Sequence, residues 1–194
     1  MTDSGHRGAA AGRAFETRGI NHVALVCSDM AATVDFYEGV LGFPLFKTVE
    51  IPGGGQHFFF DIGAGASLAF MWFPDAPPAA PGIGSQDKRA MSAVASMNHI
   101  AIDVPLEKID EYRVKLKELG FKVVLINHDD SEIGGSLEMH PGVWIRSIYF
   151  WDPDGIRLEF AAYTRDFTED DVRHPPVDST GTARELATTP SPVR

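Results

Sequence analysis

The chain carries one pattern twice. Asn21-His22-Val23-Ala24-Leu25-Val26 opens an apolar strand, and Asn98-His99-Ile100-Ala101-Ile102-Asp103 opens another 77 positions later. Each leads through about a dozen residues of helical pattern to a Leu-Gly-Phe, first Leu41-Gly42-Phe43 and then Leu119-Gly120-Phe121. Self-similarity at so long a period, with strand, helix and turn in the same order, describes two copies of one supersecondary module. Two modules with a histidine at the same place can aim both rings at one point, which makes a metal site the first thing to look for.

Around these repeats the chain divides into a flexible N-terminal arm (1–18), a first module (19–73), a linker or lid (74–96), a second module (97–162) and a C-terminal tail (163–194). In the first module the pattern predicts a strand over Ile20 to Val26 and a helix over Met30 to Leu41, capped from Ser28-Asp29. Strands over Gln56 to Ile62 and Ser67 to Phe73 meet at the Gly63-Ala64-Gly65 turn. In the second, a strand over Asn98 to Val104 and a helix over Leu106 to Leu119 precede strands near Lys122 to Ile126, Trp144 to Trp151 and Ile156 to Ala161.

The 194 residues suffice for one domain or two halves sharing a core. The sequence has no apolar run of membrane-spanning length and no apolar signal core near its start, so neither a membrane nor export is indicated. Cys27 is the only cysteine, which excludes an internal disulfide and makes a reducing, cytoplasmic setting the expectation. A net charge of -10 argues against nucleic acid as a partner, while leaving a small anionic substrate open.

In Ile156-Arg157-Leu158-Glu159-Phe160-Ala161, alternation sets Leu158 and Phe160 on one face and Glu159 on the other. A carboxylate inside so apolar a strand is costly unless paired or bound to metal. His22, His99 and Glu159 together offer two imidazoles and one carboxylate, the facial triad that suits non-haem Fe(II) and leaves positions open. Mn(II) or another divalent metal is the alternative.

His22-Val23-Ala24-Leu25-Val26-Cys27-Ser28-Asp29-Met30, with Phe36-Tyr37 and Val40-Leu41-Gly42-Phe43, resembles the opening of the vicinal oxygen chelate superfamily of glyoxalases, bleomycin resistance proteins and extradiol dioxygenases. The resemblance spans about residues 20 to 162 and implies an α+β fold of two tandem βαβββ modules forming a curled mixed sheet around a metal site. Glyoxalase-like members take a further ligand from the first module's last strand, where Ala69 stands opposite Glu159 here, so the resemblance implies three ligands. His140 and Tyr149, with Asp152-Pro153-Asp154-Gly155 before Glu159, resemble the extradiol signature, which implies that His140 and Tyr149 are catalytic and hydrogen-bond the bound diol or oxygen species.

The expected function is therefore a non-haem Fe(II)-dependent extradiol-type dioxygenase that cleaves a small catecholic or hydroquinone-like ring with dioxygen. The alternative is a glyoxalase-like isomerase, epimerase or lyase acting through an enediolate, and a third reading is an aromatic drug or metabolite binding protein. His57, Phe59, Trp151 and Arg157 are candidate pocket residues, and Arg146 and Arg157 could each anchor a substrate carboxylate. His128 falls in a polar turn, solvated or at a pocket mouth, and His174 belongs with the tail. Exposed sheet edges point to a homodimer.

Overall fold

The computed structural model describes residues 17–78, 94, 96–168, 170–172 and 174–184. The expected arm, most of the linker or lid and the end of the tail lie outside these residues.

The first strand, β1 (His22–Val26), alternates as its sequence demands: Val23 and Leu25 turn toward the core while His22, Ala24 and Val26 are exposed. Asp29 then caps α1 (Met30–Val34), its carboxylate accepting from the Ala32 N–H at 3.0 Å. The helix widens into a π-helical stretch over Asp35–Val40, and the consecutive residues Phe36 and Tyr37 are both buried there. The single regular helix expected over 30–41 is thus two kinds of turn. Three strands follow, β2 (Leu45–Ile51), β3 (Gly55–Gly63) and β4 (Ala66–Trp72).

The second module repeats this order with β5 (Ile100–Asp103), a 3-10 turn over Leu106–Lys108, α2 (Ile109–Glu118), β6 (Val124–His128), β7 (Ile145–Trp151) and β8 (Arg157–Tyr163). The repeated Leu-Gly-Phe is a helix stop. Gly120 is left-handed (φ 88°), its N–H bonds Lys117 O, and the Phe121 N–H reaches back to Leu116 O at 3.0 Å. Gly42 does the same after the first helix (φ 74°), and in both modules the phenylalanine that follows packs on the core.

Each module makes one four-stranded mixed sheet, β1-β4-β3-β2 and β5-β8-β7-β6, with the first two strands parallel and the rest antiparallel. The expected α+β pair of βαβββ modules is what forms. β2 is required by the βαβββ order, but the residue pattern places no strand over Leu45–Ile51. It enters immediately after Pro44, and a register irregularity between Leu45 and Lys47 breaks its alternation.

The modules share one apolar core built from the helix-bearing faces of both sheets. Tyr37 lies against Phe60 and Phe70, and Phe36 meets Phe121 of the second module edge-on, with ring centres 5.7 Å apart. A polar clasp closes the same seam. Tyr37 donates its hydroxyl to Asp152 Oδ2 at 3.0 Å, the Asp154 and Ile156 N–H groups donate to Asp152 Oδ1, and the Ser28 N–H and hydroxyl donate to Asp154.

Burial pushes the Asp152 carboxyl up to about 6 against the bonds that favour its charge. The folded chain therefore holds this proton more tightly than the unfolded chain. Its stabilising contribution is full below about pH 4 and is lost as pH climbs through about 6. Urea unfolding at pH 5 and pH 7.5 should show this group weakening the fold by about 1 kcal/mol at the higher pH. Asp152→Asn keeps an acceptor for both N–H groups and removes that difference.

Residues 165–184 belong to a separate unit, in which Arg165 pairs with Asp171 and a turn around Asp178 joins Val177 to Ala183. Among the described residues no helix is long and apolar enough to cross a membrane.

Candidate metal centre

With Leu158, Phe160 and Ala162 committed to the core, β8 presents Arg157 and Glu159 on the opposite face. Strand register carries that face across the sheet, pairing Ala101 with Glu159, Glu159 with Tyr149 and Tyr149 with Val124. His99 sits just before β5 on the same side, and its Nε2 lies 2.8 Å from Glu159 Oε2. Glu159 is only 3% exposed, and its Oε1 accepts from the Ser147 hydroxyl at 2.5 Å.

The proton count at His99 bears on what this pair can hold. Its Nδ1 lies 2.6 Å from Asn98 Oδ1 and its Nε2 faces the carboxylate, so both ring nitrogens meet oxygen acceptors. A neutral imidazole has one N–H. Given to Asn98, that hydrogen leaves a lone pair at Nε2 aimed at an anion. Given to Glu159, it pairs with the carboxylate; with the hydrogen on Nδ1, the Nε2 lone pair and the carboxylate oxygen make two adjoining donors for a cation. The donor set therefore fits a divalent metal. Ser147→Ala should lower metal affinity about 10- to 100-fold in a Mn(II) titration, since it frees the carboxylate that Ser147 holds.

The first module shows the same construction with one part missing. His22 Nδ1 lies 2.8 Å from Asn21 Oδ1, and Ala24 pairs with Ala69 in the register that Ala101 makes with Glu159. Ala69 thus occupies the carboxylate's equivalent position. Phe59 packs between the histidines, its ring centre 5.9 Å from His22 and 4.3 Å from His57. The His57 Nε2 is buried without a partner, and burial followed by the nearby His22 lowers the pKa of this ring. Phe46, Lys47, Phe59, Asp61 and Ser67 line an open cavity of about 420 Å³ on the module.

A profile of the Glyoxalase/Bleomycin resistance protein/Dioxygenase superfamily matches residues 19–160. The chain belongs to this superfamily. Among relatives, it is 26% identical over 149 residues to Glyoxylase I 4 of Arabidopsis thaliana, covering 77% of this chain and 73% of that one. It is 29% identical over 141 residues to the metallothiol transferase FosB of Shouchella clausii, covering 73% and 77%. It is 27% identical over 152 residues to the fosfomycin resistance protein FosX of Listeria innocua, covering 75% and 90%. The fold matches the crystal structure of a glyoxalase family protein from Enterococcus faecalis with a TM-score of 0.54 at 23% identity, covering 74% of this chain and 97% of that one.

These names shift the expected chemistry within the glyoxalase superfamily. They are a glyoxylase, a metallothiol transferase and a fosfomycin resistance protein, so the ring-cleaving reaction has less support than its alternative. The structure also pairs the residues differently. His140 bonds Asp129 Oδ2 at 2.8 Å and accepts from the Gly142 N–H. The imidazole against Tyr149 is that of His128. Its Nδ1–H donates to Gly134 O, leaving Nε2 to accept the Tyr149 hydroxyl at 3.1 Å. β6 runs two residues past its expected end, and alternation from Val124 and Ile126 then carries His128 onto the site face.

Tyr149 is buried, with its ring edge-on to His99 at 5.7 Å. Burial, and next the Glu159 charge, push its hydroxyl up to about 12, so it stays a proton donor at neutral pH. Trp151 shares this face through its pairing with Arg157. Arg146, expected as a possible anchor, is on the helix side, where it forks onto Asp110 at 3.1 Å and donates Nε–H to Asn127. Among the described residues no three His, Cys, Asp or Glu side chains converge within one chain. His99 and Glu159 meet, and His22 presents its ring from the other module.

Proposed function

We propose that this chain is a divalent-metal-dependent, non-oxidative enzyme of the glyoxalase type, an isomerase, epimerase or lyase acting on a small oxygen-bearing substrate. The observation that carries the reading is the buried Glu159 carboxylate on His99 Nε2, where the ring already has an acceptor on its other nitrogen. His99 and Glu159 would hold the metal together with His22 of a second copy. Both histidine-bearing faces are left free when the helix faces make the intramolecular core, and a pair of copies can set the first module of one against the second module of the other. Two imidazoles and a carboxylate suit several first-row divalent ions, Mn(II) and Fe(II) among them.

When bound, such an ion supplies Lewis-acid polarisation of a substrate carbonyl or hydroxyl oxygen. The residues around the pair supply the rest. Asn98 and Ser147 fix the ligand orientations. Tyr149 keeps its proton, shared in a hydrogen bond to His128 Nε2, and so stands as a hydrogen-bond donor beside His99.

The test is solvent exchange without oxygen. Mn(II)-loaded chain in deuterated water under argon, given the hemithioacetal of methylglyoxal or hydroxyacetone, should incorporate deuterium next to the carbonyl, and His99→Ala should not. Fosfomycin joins the panel because one relative is named for resistance to it, with and without an added thiol because another is named a metallothiol transferase. Stoichiometric oxygen uptake with catechols, and no exchange or fosfomycin turnover, would overturn the reading in favour of ring cleavage. Tight aromatic binding to metal-free protein without any turnover would favour a binding protein.

A further inference from the structure

Arg157 stands out among the cations of the site face. It precedes Glu159 by two residues on the same side of β8, and its guanidinium carbon lies 4.0 Å from the centre of the Tyr149 ring. Its Nε is buried and has no hydrogen-bond partner. Among the described residues, no carboxylate lies within ion-pair distance of it. Glu159, two positions along, is engaged by His99 and Ser147 instead.

Arg146 is a useful contrast within the same sheet. Its fork is filled by Asp110 and its Nε by Asn127, the usual fate of a partly buried arginine. A chain of net charge -10 has no shortage of acids with which to neutralise Arg157. A guanidinium set over an aromatic ring, with a buried N–H lacking an acceptor, is instead prepared for an acceptor that arrives from outside.

We propose that Arg157 is the specificity residue of this site and that the substrate is a small organic oxyanion, its charged end on the guanidinium and its other oxygens toward His99 and Glu159. The inference rests on the metal-site reading above and adds the substrate class to it. No pairing within the fold competes for the same N–H groups.

The test compares lactate with its uncharged amide, lactamide, and with hydroxymethylphosphonate, by calorimetry on the Mn(II)-loaded full chain. Lactate should bind at least about 10-fold more tightly than lactamide, the gain from a charge-assisted pair. Arg157→Gln should weaken lactate about 10- to 100-fold while leaving lactamide and Mn(II) affinity within about twofold. Arg157→Lys, which keeps the charge without the fork, should fall between, and serves if the glutamine variant does not fold. A preference for hydroxymethylphosphonate that is also lost with Arg157 identifies the oxyanion as tetrahedral, within the same proposal.

Normal Mn(II) binding with equal lactate and lactamide affinities, or lactate binding indifferent to Arg157, would overturn the proposal alone. Absence of Mn(II) binding in the unaltered chain would overturn the metal reading. In that case lactate bound by the metal-free chain and lost in Arg157→Gln would uphold the anion site, and no lactate binding would end it.

Discussion

A mixture of His22→Ala and Glu159→Ala chains should recover metal binding that neither shows alone. Each variant lacks one ligand of every site it can build by itself. When subunits exchange, about half of the dimers are mixed, and each mixed dimer contains one site with His22 from one copy and His99 with Glu159 from the other. The expected recovery is about one quarter of the unaltered Mn(II) content per chain, read by equilibrium dialysis after denaturation and refolding together. The cause is the direction in which the modules pack. Phe36 against Phe121 and the Tyr37–Asp152 clasp join the helix sides, leaving His22 and the His99–Glu159 pair on the other faces. Recovery of nothing, with both variants folded, would mean that the site needs no second copy.

Glu159→Gln should separate metal binding from folding in opposite directions. In the unaltered chain, Mn(II) at about 100 times its dissociation constant should add about 2.7 kcal/mol to stability. For a chain of this size that raises the melting temperature by about 5 to 10 °C. The glutamine variant should lose this shift, because an amide is a poor ligand where a buried carboxylate is lost. Without metal the same variant should melt at the same temperature as the unaltered chain or higher. Glu159 is 3% exposed, and glutamine keeps an oxygen to accept from Ser147 and an N–H to donate to His99, replacing the buried pair with a neutral hydrogen-bonded one. A variant that kept the metal-dependent shift would show that Glu159 is not a ligand.

Much of the fold was legible because local rules and tertiary packing agree. The repeated Asn-His strand opening and Leu-Gly-Phe stop mark positions where backbone geometry permits few alternatives, a left-handed glycine followed by a core phenylalanine. β2 escaped because Leu45 and Lys47 straddle an irregularity and an edge strand leaves most of its side chains exposed. Strand parity turns Glu159 away from the core, while the equivalence of Ala69 comes from the likeness of the two modules' last strands to the family pattern.

His128 could have been found by the same parity carried two residues further, while His140 was placed by its likeness to a motif and lies on Asp129. Arg146 and Arg157 look alike in sequence. Parity with Tyr149 sets Arg146 on the face opposite Arg157, and the helix on that face brings Asp110 to it, while no acid meets Arg157. The faces through which the modules pack are fixed by the shared core, which no spacing of histidines encodes.

Crystals soaked in Mn(II) and measured at the manganese absorption edge test the central claim most directly. The expected anomalous peak lies at His99 Nε2 and Glu159, with His22 of a second copy completing the ligands. A peak on other residues, or none at these with the metal present in the crystal, would contradict a metal centre built from His22, His99 and Glu159.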